Sequence, residues 1–252
     1  MPQFIKTVLA CVYAGLCTGW AAPVVAAPAD TTATQPSVVP HVYPAPVRLQ
    51  YDLSGKASGF PYSANAELWW MTDGKTYEAR TVISHFLLGT STQTSTGKIT
   101  AQGLEPVRFT NKYRNEVVVR FDRDKNKAIF NTDMPEAPLL PGAQDQASVF
   151  WQAASTVAAA PSRYPVGSTL TYQTIGPRTV EMWTFTVGAT EKLDLPGGEV
   201  SALRLWREAA HENDAKGEVW LAPSMNYLPV RIRLTKGTDE MIDQKWRATL
   251  KP

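Results

Sequence analysis

DQASVFWQAASTVAAAP, from Asp145 to Pro161, is the one run beyond the N-terminal segment with a convincing helical period. Ala147, Phe150, Trp151, Ala154, Val157 and Ala158 recur at i, i+3, i+4, i+7, i+10 and i+11, which sets them on one face of a 3.6-residue helix. Asp145 suits an N-cap, because its carboxylate can accept from the orphan N–H groups of the first turn. Pro161 ends the run. The spacing therefore predicts a helix over about 145–160. Segments of strand period flank it on both sides. A lone helix among strands buries its apolar face against a sheet, so it is expected to be the plug or lid of a β architecture.

Upstream, Val47, Leu49, Tyr51 and Leu53 alternate with polar neighbours. So do Tyr77, Ala79, Thr81 and Ile83, and then Val117, Val119 and Phe121. Period two marks strands with one buried face. Asp73-Gly74 reads as the hairpin turn between the second and third strands. Thr90 to Thr100 is rich in Ser and Thr and reads as an extended segment. Met134 to Ala143, with Pro135, Pro138, Pro141 and Gly142, is a connecting loop. Downstream, Trp183, Phe185 and Val187 alternate, as do Val200, Ala202, Arg204 and Trp206. Leu228, Val230, Ile232 and Leu234 share a face, with Arg231 and Arg233 on the other. Ile242, Trp246, Ala248 and Leu250 close the chain in the same rhythm. Short turns between successive strands imply antiparallel pairing. The expected fold is mainly β: a curved antiparallel sheet forming a partial or closed barrel, with one substantial helix packed on it. Leu104-Glu105-Pro106-Val107-Arg108-Phe109 and Leu228-Pro229-Val230-Arg231-Ile232-Arg233 echo each other. Two related half-sheets flanking the helix explain the echo, and so does chance hairpin chemistry.

The 252 residues suffice for one large or two small domains, and 44% hydrophobic residues support a real core. A net charge of +2 with dispersed basic residues gives no reason to expect a nucleic-acid partner. Residues 1–27 read as a signal peptide: Lys6, then a mostly apolar run, then Val24-Val25-Ala26-Ala27. Cleavage is expected after Ala26, with Gly19-Trp20-Ala21 as a second site, and the protein is expected in the periplasm. Val8-Leu9-Ala10-Cys11 looks like a lipoprotein box, but an apolar region ending at Ala10 is short for a signal. Both cysteines, Cys11 and Cys17, leave with this segment. No later stretch is long and apolar enough to span a bilayer. Residues 28–46 read as a Pro-rich linker, extended and solvated, and 47–252 as a single β-rich domain.

Familiar catalytic and metal patterns are missing or incomplete. Asp122, Asp124 and Asn126 have calcium-loop spacing, but Lys127 stands where the loop needs Gly, and the composition is that of a turn. His211-Glu212-Asn213-Asp214 has Ala215 where a zinc motif needs His, so it reads as a hairpin turn. There is no Gly-x-Ser-x-Gly elbow. Gly97-Lys98 lacks the rest of a phosphate loop. No metal, no cofactor and no enzymatic activity are expected.

Eight tryptophans, all but Trp20 beyond the signal, fill a core or line a cavity. Trp69 and Trp70 are adjacent, so in a strand they point to opposite faces. Phe86-Leu87 adds an apolar loop at a strand end. Trp69, Trp70, Phe86, Leu87, Phe150 and Trp151 are the candidate ligand-binding residues, with core filling as the plainer alternative.

Four stretches resemble a bacterial family of exported proteins, the domain of unknown function DUF3108. They are Ser95-Thr96-Gly97-Lys98-Ile99 running to Gly103–Phe109; Asp145 with Ser148 and Gln152; Pro196-Gly197-Gly198; and Trp220-Leu221-Ala222-Pro223 with Tyr227–Arg233. The resemblance implies an envelope protein with a mainly β fold, and it supplies no catalytic residues. The outline also resembles the periplasmic lipoprotein carriers, whose curved sheet and helix enclose an apolar cavity; that likeness is architectural, and a fold does not fix a function. The expected function is a non-catalytic binding module for a lipid or another apolar envelope ligand. The alternative is a structural component of the envelope that contacts a protein partner and takes no small ligand.

Overall fold

The computed structural model describes residues 41–87, 89–208 and 215–252. The expected signal peptide, residues 28–40 of the expected linker and His211-Glu212-Asn213-Asp214 lie outside the described residues.

Seven strands rise and fall in a meander: β1 (Val47–Ala57), β2 (Phe60–Thr72), β3 (Thr76–His85), β4 (Gly89–Thr100), β5 (Gly103–Lys112), β6 (Glu116–Asp122) and β7 (Lys127–Phe130). The two-residue β8 (Ala137–Pro138) ends this half. The chain then crosses through β9 (Gln144–Asp145) into the helix α1 (Val149–Ala159). A second meander follows: β10 (Thr169–Ile175), β11 (Val180–Leu195), β12 (Gly198–Arg207), β13 (Lys216–Ala222), β14 (Leu228–Lys236) and β15 (Glu240–Leu250). β15 returns to pair with β1, joining both halves into one 15-stranded sheet with β8 and β9 at its edges. Among the described residues, only the β9–β10 pairing is parallel. Asp73-Gly74 does form the β2–β3 turn, with the Asp73 carboxylate accepting from the N–H groups of Lys75 and Thr76 at 2.8 and 2.6 Å.

The main core fills the concave face. Val47, Leu49, Tyr51 and Leu53 are buried there, as the alternation predicts, with Ala66, Leu68 and Trp70 beside them and Phe185, Leu205, Val219 and Ile232 on the other half. A second cluster, including Phe109, Phe121, Phe130, Leu139 and Ile175, packs the end strands of the first half against β10. A third, Leu193, Val200, Ala202, Trp220 and Val230 among its members, lies on the other side of the sheet. The residues Leu228, Val230, Ile232 and Leu234 therefore do not share one face. Pro229 opposes Leu221 and Arg231 opposes Trp220, so Val230 is an extra residue in a β-bulge and turns to the third cluster. The same geometry recurs in β5: Pro106 opposes Gly97, Arg108 opposes Thr96, and Val107 is extra. The echo is thus a Pro-Val-Arg bulge made twice. In β14 it is also locked, since the buried Tyr51 hydroxyl donates to the Pro229 carbonyl at 2.5 Å.

The barrel is partial. No ladder joins β8 to β9. Glutamine amides close the gap instead. Gln173 of β10 donates from Nε2 to the Pro138 carbonyl at 2.9 Å and accepts the Leu140 N–H at Oε1 at 2.8 Å. Gln144 donates to the Leu104 carbonyl at 2.8 Å, and Gln152 accepts the Leu104 N–H at 2.7 Å. An amide side chain carries the same donor and acceptor as a peptide, so it can stand in for a missing strand.

The helix begins later than its period predicts. Asp145 is not its N-cap: it sits in β9, and its Oδ1 accepts from the N–H groups of Ala147 and Ser148, at 2.9 and 2.8 Å, in a turn that precedes the helix. Ser148 takes the N-cap position without a capping side-chain bond. Nor is there a single buried stripe. Gln152, Ala153, Ser155 and Thr156 are buried along with Trp151, Ala154 and Val157, while Phe150 and Ala158 are only half-buried. The sheet curls around the helix, so every side of it meets protein.

Gln173→Leu keeps the side chain's size but leaves the Leu140 N–H and Pro138 carbonyl without partners at the seam. A loss of about 1–2 kcal/mol is expected: Pro138 and Leu140 are exposed, so water takes up the freed groups and only the net worth of two hydrogen bonds, about 0.5–1.5 kcal/mol each, is lost. Urea unfolding checks it: the midpoint should fall, and an unchanged midpoint would show that the seam amides are dispensable.

Candidate functional site

The site is built where α1 meets β2, β3, β4 and β5. Trp70 of β2 and Trp151 of α1 stack with ring centroids 5.0 Å apart. Tyr77 of β3 lies 5.6 Å from Trp70, and Tyr43 lies 5.5 Å from it. Trp70 is thus boxed by aromatic rings, and its indole N–H donates to the Pro44 carbonyl at 3.0 Å. Tyr43 and Pro44 belong to the stretch expected to be solvated linker. His41 to Pro46 instead lies on the domain. Val42 donates its N–H to the Ser155 carbonyl at 3.3 Å, and the Tyr43 hydroxyl donates to Gln152 Oε1 at 3.1 Å. An aromatic ring that can stack is worth burying, which outweighs the preference of a Pro-rich chain for water.

Beside the stack lie two buried polar nodes. In the first, Ser95 of β4 donates to Asp145 Oδ2 at 2.5 Å. That commits the Ser95 proton, so the Tyr77 hydroxyl, 2.9 Å away, donates to Ser95. Ser148 Oγ in turn accepts from the Asp145 N–H at 3.0 Å. Asp145 and Ser95 are both fully buried. Burial pushes the Asp145 carboxyl up to about 6, against the hydrogen bonds that favour its charge. Burial also holds the Tyr77 hydroxyl well above its ordinary range, with the Asp145 charge adding to it.

The second node centres on Gln152. Its Oε1 takes the Leu104 N–H and the Tyr43 hydroxyl, and its Nε2 faces His41 Nδ1 at 3.3 Å. His41 Nδ1 also lies 3.4 Å from Ser155 Oγ and 3.3 Å from Thr156 Oγ1. Thr156 reaches the Tyr172 hydroxyl of β10 at 3.3 Å. Burial lowers the His41 pKa and pushes the Tyr43 hydroxyl up to about 12, so both side chains are neutral near pH 7. Gly103 completes the node. Its φ is +111°, and a Cβ there would sit 2.5 Å from Gln152 Nε2, so only glycine lets β5 approach the glutamine. The first node ties the turn before the helix to β4 through fully buried groups, and the second ties the helix to β5 through the buried Gln152 with half-buried His41 and Tyr43 beside it.

The six residues singled out from the sequence divide. Trp70 and Trp151 meet in the stack. Phe150 lies elsewhere on the concave face, 5.8 Å from Phe185 and 6.1 Å from Trp183. Trp69 is on the opposite face, with the Arg48 guanidinium 4.5 Å over its ring and its N–H donating to Glu67 at 3.1 Å. Phe86 and Leu87 are 88% and 74% exposed on the β3–β4 turn. The structure adds His41, Tyr43, Tyr77 and Tyr172. Tyr43 had a signal, an aromatic two residues after His41 in a run of Pro, Thr, Ala and Val. Asp122, of the calcium-like spacing, accepts from the Lys125 N–H at 3.1 Å in the β6–β7 turn.

A family model described as "Protein of unknown function (DUF3108)" matches residues 64–242. The chain belongs to the DUF3108 family. The match runs from within β2 into β15, so it spans the Trp70–Trp151 stack and both polar nodes except His41 and Tyr43. Two of the stretches that carry the likeness turn out to be partners: Ser95 and Gly103-Leu104 on one side, Asp145, Ser148 and Gln152 on the other. Among solved structures, this DUF3108 chain is similar to a β-barrel-like protein of domain of unknown function DUF1849 from Brucella abortus. The identity is 13%, the TM-score 0.56, and the match covers 82% of this chain and 98% of that one. This likeness shows the fold. A putative outer membrane lipoprotein-sorting protein domain from Vibrio parahaemolyticus matches at 7% identity over 82% of this chain and 85% of that one, with a TM-score of 0.30, too loose a likeness to carry an argument. No curated protein matches. Among the described residues, no helix is long and apolar enough to cross a membrane.

The raised Asp145 pKa has a sign that can be tested. The folded protein binds the Asp145 proton more tightly than the unfolded chain, whose value is 3.8. Its contribution is therefore fullest below about pH 4 and is lost as pH rises towards 6, by roughly 3 kcal/mol in all. Asp145→Asn cannot lose it. The stability of the variant relative to wild type should climb between pH 4 and 6, as measured by melting across that range. A flat difference would mean that Asp145 is ionised throughout.

Proposed function

We propose that this protein is a non-catalytic binding module of the bacterial periplasm whose apolar interior takes a lipid or another apolar ligand. One observation carries the reading. The aromatic interior is closed on one side by His41 to Pro46, a segment outside the sheet, and Tyr43 of that segment is the ring that covers Trp70. Sheet strands are held by ladders of backbone bonds. The segment is held by a ring stack and a few hydrogen bonds, so it can leave without unfolding the sheet. Its departure would uncover Trp70, Trp151 and Tyr77, flanked by Gln152 and Thr156, which suits a chain with an apolar body and one polar end.

A second reading rests on the same rings. Trp70, Trp151, Tyr77 and Tyr43 already stack on one another, as a finished core does, and this favours an envelope component that contacts proteins and takes no small ligand.

Binding of a fluorescent fatty-acid analogue to wild type, Tyr43→Ala and Trp151→Ala separates the two. If the segment covers a binding site, Tyr43→Ala should bind the probe at least about fivefold more tightly, a change of about 1 kcal/mol. Trp151→Ala, which removes a wall, should bind more weakly than wild type. In the core reading no chain binds the probe, and Trp151→Ala loses roughly 3–5 kcal/mol of stability. Absence of probe from both wild type and Tyr43→Ala would sink the ligand reading.

A further inference from the structure

The meander sends alternate turns to opposite ends of the first half-sheet, and the two ends differ in chemistry. At one end are the β2–β3, β4–β5 and β6–β7 turns, Asp73-Gly74-Lys75, Ala101-Gln102 and Arg123 to Asn126. None carries an aromatic residue. At the other end are the β1–β2, β3–β4 and β5–β6 turns, and each carries one. Phe60 adjoins Ser58-Gly59, Phe86-Leu87 follows β3, and Tyr113-Arg114 follows β5.

Phe60, Phe86 and Leu87 are presented to solvent, and Tyr113 is half-buried. Phe60 is 76% exposed, Phe86 88% and Leu87 74%. Burial of large apolar groups is the usual outcome of folding, so Phe60 at one tip and the Phe86-Leu87 pair at the next are exposed apolar groups that call for an occupant. They are supported from below. Phe86 stacks on His85 at 5.1 Å, and His85 meets Tyr62 edge-on at 6.2 Å, so the two hairpins brace each other. The Ser58-Gly59 turn has positive φ at both residues, 48° and 83°, a tight two-residue hairpin that fixes where Phe60 points. Lys56, Lys112 and Arg114 lie on these three turns or the strand ends beside them, with Glu116 the one acidic residue there, while Asp239 and Glu240 of the neighbouring β14–β15 turn lie beside Lys56. The neighbouring β14–β15 turn, which carries Asp239 and bonds to Gly59, has no aromatic residue and bounds the patch.

We infer that this end of the half-sheet docks on an anionic lipid surface, with Phe60, Phe86 and Leu87 entering the headgroup region and Lys56, Lys112 and Arg114 meeting the phosphates. Aromatic and aliphatic tips with flanking cations suit that boundary, where one part of each side chain is apolar and the surroundings are charged. A protein groove would instead have to match two separate turn tips at once. The inference does not rest on the interior taking a ligand.

The test is co-sedimentation of the purified chain with vesicles of phosphatidylethanolamine and phosphatidylglycerol. Wild type is compared with Phe60→Ser/Phe86→Ser/Leu87→Ser, a chain identical elsewhere and altered only at exposed positions. The variant should melt as wild type does and bind at least about tenfold more weakly. Arg114→Glu with Lys112→Glu should weaken binding to these vesicles but not to phosphatidylcholine alone, and added salt should mimic it. Equal binding by wild type and the triple variant would overturn the inference. So would a wild type that ignores vesicles but self-associates through the tips, as read by analytical ultracentrifugation. A wild type that binds vesicles yet takes up no fatty-acid probe keeps this surface and removes the interior site.

Discussion

A sheet of fifteen strands that curls without closing leaves two edges, and the fold depends on how the gap between them is filled. Leu104 shows the solution in one residue: its N–H goes to Gln152 and its carbonyl to Gln144, both side-chain amides from the crossing segment. Backbone groups that faced the interior with no partner would cost more than the packing could return. The crossing segment can supply those amides only if it passes close to β5, and Gly103 permits that approach. Once the segment is fixed there, α1 has one place to go, inside the curl. The seam and the helix are consequences of the same contacts.

Polar residues on the helix then become intelligible. Gln152, Ser155 and Thr156 would face solvent on a helix lying over a sheet. Inside a curl they face protein, and each finds a partner in β5, β10 or the His41–Pro46 segment. Asp145 is buried for the same reason and is kept in place by Ser95 and by two backbone N–H groups. Buried amides and hydroxyls are tolerated when bonded, and they fix orientation better than apolar contacts do, because a hydrogen bond fails when its geometry drifts. The aromatic stack between Trp70 and Trp151 inherits its alignment from these polar neighbours.

The two faces and two ends of the sheet have been put to different uses. The concave face holds the stack and the helix. On the opposite face, Arg231 grips Asp243 through two bonds at 2.8 and 2.6 Å, and its guanidinium lies 4.8 Å over Trp220. Burial works against the Asp243 charge, but the bonds from Arg231 and Arg233 outweigh it and hold the carboxyl below its usual range. The twin Pro-Val-Arg bulges serve both faces, since an extra residue switches which side chains point where.

Much of this was legible in the residues alone. Period-two alternation identified the strands from Val47 to Leu53 and from Trp183 to Val187, and the 3.6 period found a helix near Trp151, because those patterns are set by local geometry and by water. The likeness to DUF3108 was readable from short motifs for the same local reason: a tight approach or a bulge demands Gly or Pro at one place. What local pattern cannot encode is which polar group will find a partner. Nothing in the chain's period distinguishes a solvated Gln152 from one bonded to Leu104, 48 residues away. Nor does it separate the Tyr43 of a loose linker from a Tyr43 laid on Trp70. Phe86 and Trp70 were equally apolar on paper, and only the turn and strand they occupy sent one into water and the other to the centre. Apolar periodicity and turn chemistry are properties of neighbouring residues, so the sequence by itself determined the elements and their family. Burial of polar groups and exposure of apolar ones are settled by contacts between distant residues, so the tertiary structure alone decided the seam, the helix's surroundings and the patch at the rim.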